Sequence, residues 1–460
     1  MSLLRQATWT LQKQPKGKVH QQIIHHFVTV STMTSEDKKS IVIIGGGIIG
    51  CTSAYFLTRH PSFSPEKHNI TLIEATKIAG GASGKAGGLL ALWAYPSAIV
   101  PLSFRLHEQL AKEHDGEERW GYRKTNCGSI MAKGRPIPPK GSVKGKTGEM
   151  NGQNGDLEEK ESLSLQKQSK EAKGKLRAAG VPSDLDWVDA GSTVGYSAMA
   201  GPDETAQVHP YQFTTSMAQL AAEAGAKIVL GSITNIDRGT DGKAVRGVTY
   251  KDKTSGESID LPASDVIIAA GPWTQKVFPK APISAMRAHS VTIRPTRPVS
   301  AYALFTELDL PKDFGGRGNE SLKGVRRMGK TVTPEIYARP KNEVYACGEG
   351  DNEVPFPPST DEVQVDEGRC QDIVDYVGSI SDELRDGEVT ARQACYLPNV
   401  ALGSGPLIGE TGVKGLLMAA GHTCWGIQNG TGTGKLISEF VFDGKAKSAT
   451  VGSLDPRRVL

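Results

Sequence analysis

Residues 41–50 read Ile-Val-Ile-Ile-Gly-Gly-Gly-Ile-Ile-Gly, and no other stretch restricts the fold as strongly. Four β-branched apolar residues with no polar alternation predict a strand buried on both faces, as at the centre of a parallel sheet. Gly45, Gly47 and Gly50 follow with G-x-G-x-x-G spacing. The three positions answer three needs: a tight turn, close approach of backbone to a pyrophosphate, and close packing of helix on strand. Ile48 to Leu57 predicts a helix whose positive end, with the amides of Ile48 and Ile49, faces that phosphate. A second strand, Asn69 to Ala75, ends on Glu74, an acid able to hold both hydroxyls of a ribose. Glu74 lies 24 positions after Gly50, and the polar loop Pro61 to His68 accounts for the excess over the usual interval of about 20. The stretch predicts a dinucleotide site.

The remaining length, 460 residues in all, allows two domains and a large core. A formal charge of +4 is small for that size, and the 54 basic residues are scattered, which argues against nucleic acid as a partner. The six cysteines form no C-x-x-C pair and none has histidines at metal-ligand spacing, so no metal is expected and the thiols read as reduced. No apolar stretch reaches the roughly 18 residues of a membrane span. Residues 1–35 carry Arg5, Lys13, Lys16 and Lys18 and no acid, which suits either a disordered extension or a targeting segment. The expected location is cytoplasmic, with mitochondrial or peripheral endosomal placement as alternatives.

A second glycine-rich run, Gly80 to Gly88, follows the ribose strand, and its small residues let backbone amides crowd an extended ligand. Leu89 to Trp120 reads as helical. Residues 140–180 are mostly Lys, Gly, Glu, Ser and Gln and predict a disordered insertion. A helix over Tyr211 to Ala224 precedes strand-like runs at Ala226 to Leu230 and Ser232 to Asp237. An all-apolar strand, Asp265 to Ala270, closes on Gly271-Pro272-Trp273. From Ser284 to Gly350 alternation takes over, predicting an antiparallel sheet. Val363 to Ile380 reads as helical, Gly415 to Ala420 as a strand, Gly421 to Thr433 as a glycine-rich turn and Gly434 to Phe440 as a helix. Gly434-Lys435 does not end a phosphate loop, because Asn429 occupies the first glycine position and Leu436 that of the Ser or Thr.

The fingerprint, Ala269 to Trp273, and the C-terminal Gly-His-Thr-Cys-Trp-Gly-Ile at 421–427 together resemble the FAD-dependent D-amino-acid oxidase superfamily, which includes glycine and sarcosine oxidases. The nearest likeness is a fungal branch of FAD-dependent oxidoreductases with unassigned substrates. The resemblance implies an α/β chain: a doubly wound FAD-binding domain (36–93, 196–283, 399–450) and an α+β substrate domain built on the antiparallel sheet (94–139, 181–195, 284–398). It places the pyrophosphate at Gly45, Gly47 and Gly50 and the adenosine ribose at Glu74 and Ala75. Gly81, Ala82, Ser83, Gly84, Lys85, Ala86, Gly87 and Gly88 would run beside the ribityl chain and ring, and Ile233 would meet the adenine. Ala270, Gly271 and Trp273 would border the flavin, with Gly421, His422, Trp425, Gly426, Ile427 and Gln428 along its pyrimidine edge. The implied chemistry is hydride transfer from the carbon beside nitrogen of a small amine or amino acid to flavin, with imine hydrolysis and reoxidation by oxygen to hydrogen peroxide. The alternatives are a flavin dehydrogenase with another acceptor, a flavin-fold trafficking or interaction factor using the insertion as its contact surface, and an NAD-binding dehydrogenase, which leaves the second and third motifs unexplained.

Among candidate catalytic residues, Arg339 suits a substrate carboxylate because its fork is planar and bidentate, and Tyr337 shares its strand face. Arg287 and His289 enter the antiparallel sheet where a positive group near the flavin would favour oxygen reduction. His422 reads as a partner of flavin or backbone. Cys395, in Gln-Ala-Cys-Tyr-Leu-Pro, lies where sarcosine oxidase-like members attach flavin covalently, although the Thr-Pro-Asp that follows in them is missing. Oligomeric state is not encoded in any motif.

Overall fold

Five parallel strands form the centre of the first sheet in the computed structural model, which describes residues 38–137, 170–312, 314, 330–401 and 405–460. Their order is Lys227–Asp237, His68–Glu74, Lys39–Ile44, Asp265–Ile268 and Leu416–Ala420. The hairpin of Gly247–Asp252 and Ser258–Pro262 extends one side, and antiparallel Leu407–Glu410 closes the other. The apolar run at 41–44 is central for a simple reason: Ile41 and Ile43 feed one core, Val42 and Ile44 the core on the opposite face. The first core lies beneath helices Ile48–Leu57, Val100–Glu113, Pro210–Glu223 and Gly426–Asp443.

Three elements depart from the sequence expectation. The segment 89–120 is not one helix: it opens as strand Leu89–Ala91 and continues as helices Val100–Glu113 and Gly116–Trp120. Pro101 stands in the first turn of the longer helix, and Asp115, at φ 54°, separates it from the shorter one. The last helix starts at Gly426, eight residues earlier than its glycines suggest. Those glycines are contacts: a Cβ on Gly434 would lie 2.5 Å from the carbonyl carbon of Thr52, and one on Gly432 2.3 Å from Ser103 Oγ. Their propensity cost, about 1 kcal/mol each, is accepted where two helices must approach closely. Most of the insertion expected at 140–180 lies outside the described residues, but Lys170–Ala178 is a helix, with Leu176 in a core.

The second sheet runs Glu388–Val400, Ile283–Arg294, Glu343–Asp351, Glu335–Arg339, Tyr302–Asp309, Asn126–Lys133 and Thr193–Ala200. It is antiparallel except where Tyr302–Asp309 pairs with Asn126–Lys133 in parallel. One face, including Val291, Leu304 and Ile336, packs under helix Glu367–Gly378. The other carries Tyr337 and Tyr345. From Lys39 to Leu460 the chain is a single compact unit. No helix among the described residues is long and apolar enough to cross a membrane.

Candidate active site

A cavity of about 490 Å³ is lined by both sheets. Its first end is the fingerprint. Gly45 has φ 112°, and a Cβ on it would meet Ala269 O at 2.4 Å; a Cβ on Gly50 would meet Gly45 O at 1.9 Å. Only glycine fits either place. The N-terminus of helix Ile48–Leu57 has no side-chain cap, and Ser83 Oγ accepts from the Ile48 amide at 2.9 Å. Glu74 accepts from the amides of Gly46 at 2.7 Å and Thr76 at 2.8 Å, which fixes its carboxylate at the cavity wall. Lining this cavity are Gly45, Gly47, Ile48, Ile49, Glu74, Ala75, Gly81, Ala82, Ser83, Lys85, Ala86, Gly87, Gly88, Ile233, Ala270, Gly271, Trp273, Gly421, His422, Trp425, Gly426 and Ile427. Three expected contacts are absent from the lining. Gly50 packs helix on strand, Gly84 sits against Ala79 O, and Gln428 accepts from the Ala91 amide at 2.9 Å.

The second end is walled by the antiparallel sheet. Along strand Glu335–Arg339, Ile336 and Ala338 enter the core while Glu335, Tyr337 and Arg339 share the opposite face. Arg339 does not reach the cavity, contrary to the role expected for it. Its guanidinium donates to the carbonyls of Ala86 and Gly87, pairs with Glu343 at 2.8 Å, and stacks on Tyr345. Tyr337 does line the cavity, and its phenol donates to Glu335. Burial, then the charge of Glu335, pushes that phenol well above its ordinary range.

Arg287 is likewise outside the lining: it is 2% exposed and bound to Asp351 at 2.8 Å and to the Gln364 carbonyl at 3.2 Å. A compensated cation at that depth supplies no free charge to the cavity. His289 lines it, with Nε2 accepting from the Asp366 amide at 3.0 Å and Nδ1 3.5 Å from Asp351. Burial, then Arg287, pulls its pKa down, so the ring is neutral at pH 7. His422 is buried, bonded to Thr433 at 2.9 Å, and desolvated to a pKa of about 3. Cys395 lines the cavity as a thiol: burial raises it to about 11 despite the pull of Lys85. Lys85 donates to the Ala394 carbonyl at 2.8 Å.

Sequence reasoning missed Glu335, Phe305, Tyr345 and Cys347, all of which line the cavity. The alternation that linked Tyr337 to Arg339 also points back to Glu335. The other three come from neighbouring strands, and their convergence depends on register: Phe305 lies opposite Glu335 on one side and Cys347 on the other.

The family model for FAD dependent oxidoreductases (DAO) matches residues 40–440. The chain belongs to that family. It is 37% identical to "Putative oxidoreductase TDA3" of Saccharomyces cerevisiae, over 94% of this chain and 97% of that one. It is 33% identical to "Putative oxidoreductase C1F5.03c" of Schizosaccharomyces pombe, over 91% and 98%. The fold is that of glycine oxidase from Bacillus cereus (TM-score 0.61, 18% identity, 92% of this chain and 100% of that one). L-proline dehydrogenase from P. horikoshii superposes similarly (TM-score 0.62, 16% identity, 92% and 98%).

The DAO family cofactor, FAD, fits the residues present. The helix N-terminus beside Gly45 and Gly47 suits a pyrophosphate, and Glu74 suits a ribose. Lys85 is a partly buried cation in the same lining as Gly421, His422 and the start of helix Gly426–Asp443. The protein is an FAD-dependent oxidoreductase.

Proposed function

We propose that this DAO family member oxidises the carbon beside nitrogen in a small amine or amino acid. The carrying observation is continuity: one cavity runs from the dinucleotide fingerprint to a chamber walled by Phe305, Tyr337, Tyr345 and Trp425. FAD bound there supplies a two-electron acceptor for the carbon–nitrogen unit. Gly45, Gly47, Ser83 and Glu74 would hold it, and Lys85 and His422 would flank its reactive part. The chain itself excludes water: the aromatic walls desolvate the carbon–nitrogen unit where it reacts. Consistent with this, neither histidine in the lining is charged at neutral pH.

Oxygen is proposed as the acceptor. The neighbours support the amine reading, since they include proteins titled glycine oxidase and iminodiacetate oxidase. The one titled L-proline dehydrogenase makes an alternative acceptor the second reading. Admitting air to amine-reduced enzyme separates the two. Rapid reoxidation with one peroxide per turnover is expected; slow reoxidation without peroxide supports a dehydrogenase.

A further inference from the structure

The chamber carries a carboxylate that no lysine or arginine pairs among the described residues. Glu335 is half-buried on its wall, with Tyr337 donating to Oε2 and the Cys347 thiol 3.8 Å from the same oxygen. Among the described residues nothing donates to Oε1, and no lysine or arginine pairs with the carboxylate. The two lysines of the cavity lining, and Arg339 on the same strand as Glu335, are committed elsewhere. Arg339 holds Ala86, Gly87 and Glu343; Lys85 holds the Ala394 carbonyl; Lys276 holds those of Pro357 and Pro358.

Around this carboxylate the aromatic rings form one connected wall. Tyr345 stacks on Tyr337 at 5.8 Å, and Tyr337 meets Phe305 at 6.4 Å. Phe305 meets Trp93 at 5.9 Å, and Trp93 meets Trp425 at 5.6 Å. Trp93 is 39% exposed, which places solvent at that end of the wall. A carboxylate among aromatic faces attracts a cation twice, through the charge and through the ring quadrupoles. It repels a carboxylate.

We propose that this chamber receives a small organic cation, an amine without a carboxylate, with its positive group held by Glu335 and the aromatic wall. This rests on the amine-oxidising reading and narrows its substrate class.

The test uses FAD-loaded protein and probes that cannot be oxidised. Benzyltrimethylammonium and benzoate have the same ring and opposite charges, and each is titrated while flavin absorbance and tryptophan fluorescence are followed. The cation is expected to saturate and benzoate not. Glu335→Gln should weaken the cation on the order of ten- to a hundredfold, with Glu335→Asp in between and flavin content unchanged. Because the probe comparison needs only the wild-type protein, it stands even if a variant misfolds. Benzoate binding more tightly than the cation, or Glu335→Gln leaving cation affinity within twofold, overturns the inference. Cation binding that Glu335→Gln abolishes supports it even when no amine reduces the flavin, in which case only the proposed function falls.

Discussion

Glu335, Tyr337 and Arg339 stand on one face of one short strand, yet each does different work. Arg339 ties the 86–87 backbone to the antiparallel sheet, Tyr337 closes over Gly87, and Glu335 faces the cavity. Arg339→Met should therefore lower stability by about 2–3 kcal/mol, because two carbonyls and Glu343 lose a buried partner. Thermal melts and FAD titration would show it as a lower Tm and weaker FAD binding, with the amine KM within about threefold of wild type. A large KM increase with intact FAD binding would return Arg339 to substrate recognition. At Cys395, burial keeps the sulfur as a thiol, which is a poor nucleophile. Acid precipitation is expected to release all flavin into the supernatant; flavin that stays with the protein would establish a covalent bond. At this scale the sequence reveals residue type and face but not partner. The guanidinium at 339 looked available because Ala86 and Gly87, some 250 positions away, are brought to it only by folding.

Helix Gly426–Asp443 is longer than its sequence suggests, because its glycines look like a loop when propensity alone is considered. Packing overrides propensity: the helix meets Ile48–Leu57 so closely that Gly434 has no room for a methyl group. Gly434→Ala should cost at least about 2 kcal/mol, measurable as a fall in Tm; an unchanged Tm would mean the two helices are further apart. The same helix is joined to Val100–Glu113 by His107, whose Nε2 lies 2.9 Å from the Ile427 carbonyl. Burial lowers the His107 pKa from 6.5 to about 4. The unfolded chain therefore takes up a proton below pH 6.5 that the folded chain refuses until about pH 4. Stability is complete above pH 6.5 and falls between these limits. At pH 5 His107 contributes a loss of about 2 kcal/mol, and His422, with its pKa of about 3, a similar one. Unfolding at pH 7.5 and pH 5 should show the drop, and His107→Gln should remove about 2 kcal/mol of it. Equal stabilities at the two pH values would contradict this burial. The unalternating strand at 41–44 and the fingerprint after it were legible, since period and glycine spacing are local properties.

Across the whole molecule, the cavity is shared: the parallel-centred sheet supplies the fingerprint and Glu74, and the antiparallel sheet supplies His289, Glu335 and Tyr345. A ligand spanning both stabilises both. With FAD at one hundred times its Kd, the gain is about 2.7 kcal/mol, and circular dichroism and intrinsic fluorescence should report one coincident transition. Two separated transitions in the presence of FAD would show that the sheets unfold independently. The mixed α/β architecture was readable from motif order and the change from apolar runs to alternation. The charge of the chamber beside Phe305 and Tyr345 was not, because it depends on which of several cations fold toward carbonyls and which toward the cavity.

The most direct measurement is the absorption spectrum of the purified protein, followed by anaerobic addition of amines and amino acids. The expected result is a flavin spectrum that bleaches with amines lacking a carboxylate. A flavin spectrum that no amine or amino acid bleaches, even at saturating concentration, would contradict the proposed activity.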